Sequence, residues 1–321
     1  MRASLMSVAI IVCTHTRGTA PARLAVTLES LAAQELAAGE RATLCVVFNG
    51  PETPPPLAPW RAAQMDGVVL HEPRRGKCRA ANRALAHLAD SEFLLWADDD
   101  LTYPPHWARS LLGALRAEPD VAVCGPVEVA AELRRPWMTR GHLRAFSVAQ
   151  DTTRPPPALL GGNMGFRRGH AVQLPGFDEA LGPGALGGHE ELLYSEMLRA
   201  LRVELRWVPE ARAVHHFAED RLSAEALIGW SNNMGRSLAY VHHHWQRWHA
   251  LRDRRMLIAI SGGIVKHHLR ERWSRPRPPV TSGRMRWEFW RAYARQMRAL
   301  RGVPPRYCAR PPFVAAQAAR P

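Results

Sequence analysis

The stretch Phe93-Leu94-Leu95-Trp96-Ala97-Asp98-Asp99-Asp100 decides how this chain is read. Five apolar residues run without interruption into three consecutive carboxylates. An apolar run with no polar alternation is the pattern of a strand buried on both faces, as in a parallel sheet. Three acids in a row have no place inside a core without a counter-charge. Both demands are met if a central parallel strand ends at an open rim, where the carboxylates meet a divalent cation. Ligands of open α/β sheets bind at that carboxyl edge.

Outward from this stretch the same alternation repeats. Val8 to Cys13 reads as an apolar strand, followed by a helix from near Thr19 with Pro21 in its first turn and Leu24, Leu28 and Leu31 on one face. Thr43 to Phe48 is the next strand and ends at Asn49-Gly50, before the proline-rich loop Pro51 to Pro59. Val68-Val69-Leu70 is a third strand, and Arg74-Arg75-Gly76-Lys77 opens a helix carrying Ala81, Leu85 and Leu88. After the acidic triplet, Leu101 to Pro105 leads into a helix with Trp107, Leu111, Leu112 and Leu115. Strand–helix repeats of this kind predict a doubly wound, mainly parallel α/β sheet. A dinucleotide site would need G-x-G-x-x-G after the first strand, and Cys13-Thr14-His15-Thr16-Arg17-Gly18 does not supply it. A phosphate-cradling P-loop is also absent.

Further along, Val121 to Val129 reads as one strand and Arg134 to Pro157 as an irregular excursion. Gly161-Gly162 predicts a close backbone approach. Gly182 to Gly188 reads as a movable, glycine-rich lid running into His189-Glu190-Glu191 and a helix with Leu193, Met197, Leu198 and Leu201. Val203 to Val208 is a last strand, and Pro209 to His216 closes the domain.

The chain has 321 residues and a net charge of +14, unevenly placed. Residues 221–321 hold 20 Lys+Arg against 4 Asp+Glu, together with six of the eleven Trp, so all the excess lies there. This predicts a near-neutral domain over residues 1–220 and a basic, Trp-rich, mainly helical extension over 221–321. The five cysteines are scattered without metal-ligand spacing and read as core thiols. With no signal peptide ahead of the first strand, a cytoplasmic location is expected.

In this order and spacing the motifs resemble those of the family-2 glycosyltransferases with the GT-A fold, over roughly residues 8–217. Val12-Cys13-Thr14-His15-Thr16-Arg17 is similar to the family's opening C-T-x-N-R-like loop, and Asn49 stands where the second strand delivers an Asp or Asn to the nucleoside. Gly76-Lys77-Cys78-Arg79-Ala80-Ala81-Asn82 resembles the G-x-x-x-A-R-N segment, with Ala81 in place of Arg. Asp98-Asp99-Asp100 matches D-x-D, Gly162-Asn163-Met164 the G-x-N-M-like turn, and Gly176-Phe177-Asp178-Glu179 the G-F-D-E segment. Glu190 falls where the family places its catalytic Asp, and His215 at the end of P-E-A-x-x-x-H.

The resemblance implies an inverting transfer of sugar from a nucleotide-diphosphate donor, uridine diphosphate by default, to an acceptor hydroxyl. The acceptor is left open among a glycan, a lipid-linked sugar, a small molecule and a peptide. It also implies Mn²⁺ or Mg²⁺ as cofactor, since hard oxygen ligands and phosphates suit these ions. Thr14, Arg17, Asn49, Gly76, Arg79, Asn82, Asp98, Gly162 and Asn163 are then expected around the nucleotide. Asp98, Asp100 and His215 are expected on the metal, with His216 as the competing histidine. Alternation along the strand turns Asp99 away and makes it the least important of the three acids. Glu190 is the expected general base and Glu191 its fallback, although acids at a helix start also simply complement the dipole. Lys77, Arg79 and Arg75 lie at a helix N-terminus, a natural anion site.

The extension suggests a membrane surface. Met256 to Val265 is an apolar decamer, too short to span a bilayer and bracketed by Arg252 to Arg255 and by Lys266 to Arg270. A helical cap packed on the catalytic domain accounts for the same composition. His242-His243-His244 reads as a packed or exposed helical segment rather than a metal tract. Two further readings compete: a nucleic-acid binder acting through the basic tail, and a catalytically idle scaffold. The intact acids argue against the scaffold, and the lack of a recognised nucleic-acid motif argues against the binder.

Overall fold

The structure, a computed structural model, describes residues 7–15, 20–54, 61–62, 64–146, 157–252, 254–272, 275–311 and 313. Its centre is β1 (Val8–Thr14), buried along its whole length. β1 pairs in parallel with β2 (Ala42–Asn49) on one side and β5 (Phe93–Asp98) on the other. β2 continues in parallel to β4 (Met65–Glu72), which is edged by the short antiparallel β3 (Arg61–Ala62). Beyond β5 come β9 (Asn163–Arg167), β7 (Val121–Cys124) and β10 (Glu204–Trp207), giving the order β10-β7-β9-β5-β1-β2-β4-β3. The apolar run of the decisive stretch is therefore a central strand, with Phe93 to Ala97 all buried. Each buried Leu or Ile of these strands contributes about 1.5–3 kcal/mol.

Helices α1 (Ala20–Ala32), α2 (Lys77–His87) and α3 (Trp107–Ala117) are the crossover elements of the parallel strands. Leu24, Leu28 and Leu31 of α1 and Trp107, Leu111, Leu112 and Leu115 of α3 join the strands in one apolar cluster.

Two strands depart from the reading of the sequence. The run Val121 to Val129 is not one strand: it breaks at Gly125-Pro126, where proline has no N–H for the ladder. Its second half, β8 (Val127–Val129), joins a separate three-stranded sheet with β6 (Leu101–Thr102) and β11 (Ala213–His215). Within the glycine-rich Gly161 to Arg168 segment, Asn163–Arg167 forms β9, antiparallel between β5 and β7. Gly165 permits this insertion, because a Cβ there would lie 2.7 Å from a methyl of Leu95.

The chain forms two compact units, and their division differs from the compositional boundary at residue 220. The first comprises Met1–Glu128, Val148–Glu179 and Glu190–His216. It also carries α5 (Arg168–Ala171) and α6 (Glu190–Ala200). The second comprises Val129–Ser147, Ala180–His189 and Phe217–Pro321. It holds α4 (Arg140–Leu143), α7 (Ala224–Val241), α8 (Arg254–Arg272) and α9 (Ser282–Ala299).

Within the second unit, α7 and α9 cross at Gly235, whose missing side chain lets the Phe289 carbonyl approach. Phe146 and Phe217 stack at 4.2 Å, beside Leu227 and Met285. The Gly182 to Gly188 segment, read above as a lid, is closed on itself by a Gly187 N–H to Gly182 carbonyl bond of 2.9 Å. Gly187 and Gly188 pack against Asn233 and Met234 of α7. The histidine tract forms a wide π-helical turn, with His242 Nδ1 2.9 Å from the Tyr293 hydroxyl and His244 Nδ1 accepting the Arg306 N–H at 3.2 Å.

Candidate active site

The three carboxylates at the end of β5 go to three different partners. Asp98 is the last residue of the strand, and its Oδ1 lies 2.6 Å from Lys77 Nζ, in the first turn of α2. Asp99 accepts a hydrogen bond from the Thr14 hydroxyl at the end of β1. Burial, then the charge of Asp100, pushes the Asp99 carboxyl up to about 6. Asp100 faces the second sheet, where its Oδ2 is 3.2 Å from His215 Nε2. The antiparallel pairing of β6 with β11 fixes that meeting, together with a His216 N–H to Asp100 carbonyl bond of 2.8 Å. The His216 ring turns instead to Thr102 Oγ1, at 3.0 Å.

Across from Asp98 runs the Gly161-Gly162 turn. A Cβ on Gly162 would lie 2.7 Å from Asp98 Oδ2 and 2.9 Å from Leu101 Cδ1, and one on Gly161 would overlap a carboxylate oxygen of Glu191. With glycine at both positions the backbone passes between the two acids without displacing either carboxylate. Tyr103, which the sequence did not single out, secures the turn: its hydroxyl accepts the Asp98 N–H at 2.9 Å and donates to the Gly162 carbonyl at 2.7 Å.

Glu190 and Glu191 open α6, after His189 with its left-handed φ of 62°. Glu190 is buried, and its Oε2 has no hydrogen-bond partner among the described residues. An unpaired buried carboxylate oxygen is costly and points to a ligand or a reaction. Burial raises both carboxyls, Lys77 opposes the rise, and Glu190 further raises Glu191. Burial alone would lower the Lys77 ammonium, but Asp98, Glu191 and Glu190 outweigh it and hold Lys77 protonated well above the usual lysine range.

Several expected nucleotide contacts are engaged with the protein itself. Asn49 donates to the carbonyls of Arg74 (2.7 Å) and Glu72 (3.3 Å) and accepts the Gly76 N–H (2.8 Å), so it fixes the loop into α2. Gly76 has a φ of 132°, a conformation that favours glycine. Asn82 makes a two-way bond to the backbone of Phe177, at 2.8 and 2.9 Å. Asn163 is fully buried: it accepts from Trp107 Nε1 (2.7 Å) and donates to the carbonyls of Pro126 (3.0 Å) and Ala211 (2.6 Å). These three amides are bonded to the protein and hold the rim in place. Arg79 pairs with Glu179 at 2.8 Å, and Lys77 with Asp98. Arg17 lies outside the described residues.

The metal expectation divides in the same way. Among the described residues, no three His, Cys, Asp or Glu side chains converge as a ready cation site. Asp100 and His215 do form an oxygen–nitrogen pair, whereas Asp98 carries the Lys77 ammonium on Oδ1. Two protein donors fit Mg²⁺ or Mn²⁺ when water and phosphate oxygens complete the shell.

A mainly parallel, doubly wound sheet with this acidic rim, glycine turn and glutamate pair defines a transferase domain of the GT-A type. Residues 9–173, more than half of the chain, match the family described as Glycosyl transferase family 2. The chain belongs to that family and is a glycosyltransferase. It is 27% identical over 242 residues to the glucosyl-dolichyl phosphate glucuronosyltransferase of Haloferax volcanii, an alignment covering 70% of this chain and 73% of that protein. Among solved structures it is similar to the mannosyltransferase PcManGT from Pyrobaculum calidifontis in complex with GDP-Man and Mn2+. That likeness has a TM-score of 0.48 and 17% identity, over 92% of this chain and 75% of that one. A second likeness, to GalNAc-T7 with UDP, GalNAc and Mn2+, has a TM-score of 0.49 and 14% identity over 75% of this chain, which spans only 50% of that one.

Proposed function

We propose that this glycosyltransferase moves a sugar, with inversion, from a nucleotide-diphosphate donor to an acceptor hydroxyl, with Glu190 as general base. The observation that carries the reading is Glu190 Oε2: buried, without a hydrogen-bond partner among the described residues, and on a carboxyl raised by burial. Such an oxygen is available to accept the proton of an incoming hydroxyl, and a carboxyl raised toward neutrality is the stronger base. Lys77 opposes that rise and keeps a fraction of Glu190 ionised. Glu191, close against Gly161, lines the same turn.

Asp100 and His215 are the residues that would hold a divalent cation, which when bound supplies Lewis-acid stabilisation to the departing diphosphate. Asp98, braced by Lys77, stands beside the Gly162 turn and offers Oδ2 to the donor side of the rim. A uridine diphosphate sugar is the default donor by family resemblance. A sugar on a polyprenyl phosphate carrier is the acceptor class favoured by the name of the Haloferax relative.

The test is a calorimetric panel of nucleoside diphosphates with Mn²⁺, followed by turnover of the matching sugar donors. One diphosphate should bind in a metal-dependent way, and its sugar donor should be consumed. Release of nucleotide from no donor, with or without Mn²⁺, overturns the reading.

A further inference from the structure

Helix α8 turns an apolar line outward. Ile258 is 73% exposed, Val265 56% and Leu269 52%, and Gly262 between them has open space where a Cβ would stand. Residues 258, 262, 265 and 269 follow one another at steps of four, three and four, so they form a single stripe along the helix. The other side of α8 is the one that packs. Ile260 and Glu271 are buried there, Gly263 lies against the Arg286 guanidinium, and Gly283 of α9 fits against the backbone of Ile264 and His268. An amphipathic helix ordinarily buries its apolar stripe; here the stripe is the side turned away from α9.

The edges of the stripe are cationic. Arg255, Lys266, Arg270 and Arg272 are all exposed. The single acid of α8, Glu271, is buried and accepts from the Ser282 N–H at 2.6 Å and from Thr139 Oγ1 at 3.1 Å. The outward surface of the helix therefore combines an apolar line with several positive charges and no carboxylate. From Ile258 to Leu269 it runs about 16 Å. Among the described residues no helix is long and apolar enough to cross a membrane, so burial of this line calls for a surface rather than a span.

We propose that the outward face of α8 docks on an anionic lipid bilayer. The helix would lie parallel to the surface, with Ile258, Val265 and Leu269 at the acyl boundary and Lys266 and Arg270 among the phosphates. Charge selects this occupant over a second copy of the chain, because a two-fold pairing would bring identical cations together without a counter-charge. The proposal stands apart from the transfer chemistry, since binding to vesicles requires neither donor nor acceptor.

The experiment is flotation of the whole chain with vesicles of phosphatidylcholine alone, or of phosphatidylcholine mixed with phosphatidylglycerol. Binding to the anionic vesicles should be on the order of tenfold tighter or more, and should weaken as salt rises. Two variants separate the contributions: Ile258→Asp with Leu269→Asp, and Lys266→Glu with Arg270→Glu. Each should lose about tenfold or more in vesicle binding, with thermal melting and nucleoside diphosphate binding unchanged. Equal binding to both lipids, or variants that bind as the parent does, overturns the proposal. So does a concentration-dependent dimer that the Ile258→Asp, Leu269→Asp variant dissolves without any vesicle binding, which assigns the face to a second copy.

Discussion

Lys77 Nζ lies 2.6 Å from Asp98 Oδ1, joining the first turn of α2 to the end of the central strand. That one ammonium faces the charge of three acids, Asp98, Glu190 and Glu191. Replacing it with the neutral Lys77→Met leaves all three without their counter-charge. The Glu190 carboxyl, raised by burial and restrained by Lys77, then rises further. A general base works when ionised, so activity is present above its pKa and fails as pH falls through it. The low-pH limb of the kcat/KM profile should therefore move to higher pH in Lys77→Met and stay near its parental position in Lys77→Arg. A profile unmoved in Lys77→Met would remove Lys77 from the electrostatics of the base.

The central sheet was legible because β1, β2 and β5 are apolar on both faces and the flanking helices carry leucines at helical spacing. The acidic rim was legible because an apolar strand running into Asp98-Asp99-Asp100 has few physical solutions. The protein contacts of three asparagines were not. Asn49, Asn82 and Asn163 occupy motif positions that suggest nucleotide contacts, but an amide serves a ligand and a backbone equally well, and nothing local distinguishes the two. β9 was hidden for a different reason: its glycines signal close approach, and only the neighbouring Leu95 reveals that the approach is strand pairing. The pairing of Lys77 with Asp98 was not legible, because 21 positions separate the two residues.

Glu190→Gln preserves shape and removes the basic oxygen. The turnover number should fall by roughly 10²- to 10⁴-fold, the range associated with loss of a general base. Affinity for the nucleoside diphosphate should hold, because the base acts at the acceptor. Glu191→Gln should cost less, its carboxylate being set against the Gly161 backbone. Single-turnover kinetics beside calorimetry separates the two effects. Near-parental turnover in Glu190→Gln would reassign the base.

The Asp100–His215 pair predicts an asymmetry between adjacent histidines. Asp100→Asn and His215→Gln each weaken one of two protein donors, and should raise the Mn²⁺ concentration for half-maximal activity by about tenfold or more. His216→Gln should change it little, because that ring is bonded to Thr102 at 3.0 Å. Metal titrations of the three variants give the comparison. Equal sensitivity at both histidines would dissociate the pair from the cation.

Acid should destabilise the second unit through two buried histidines. Burial, then a neighbouring histidine, pushes His189 and His242 down to about 4 each. His189 Nδ1 is 2.8 Å from Ser237 Oγ, and His242 Nδ1 is 2.9 Å from the Tyr293 hydroxyl, with the His242 ring also 4.7 Å from that of Trp248. No carboxylate is among these partners to favour the charged form. An unfolded histidine titrates near ~6.5, so between that pH and about 4 the unfolded chain takes up protons that the folded chain refuses. Stability is complete above the unfolded pKa and is lost as pH falls toward the folded one, by up to about 3 kcal/mol per site. Urea unfolding followed from neutral to acidic pH should show that slope, and His242→Gln should flatten part of it. A parental slope retained in His242→Gln would mean that the proton uptake lies elsewhere.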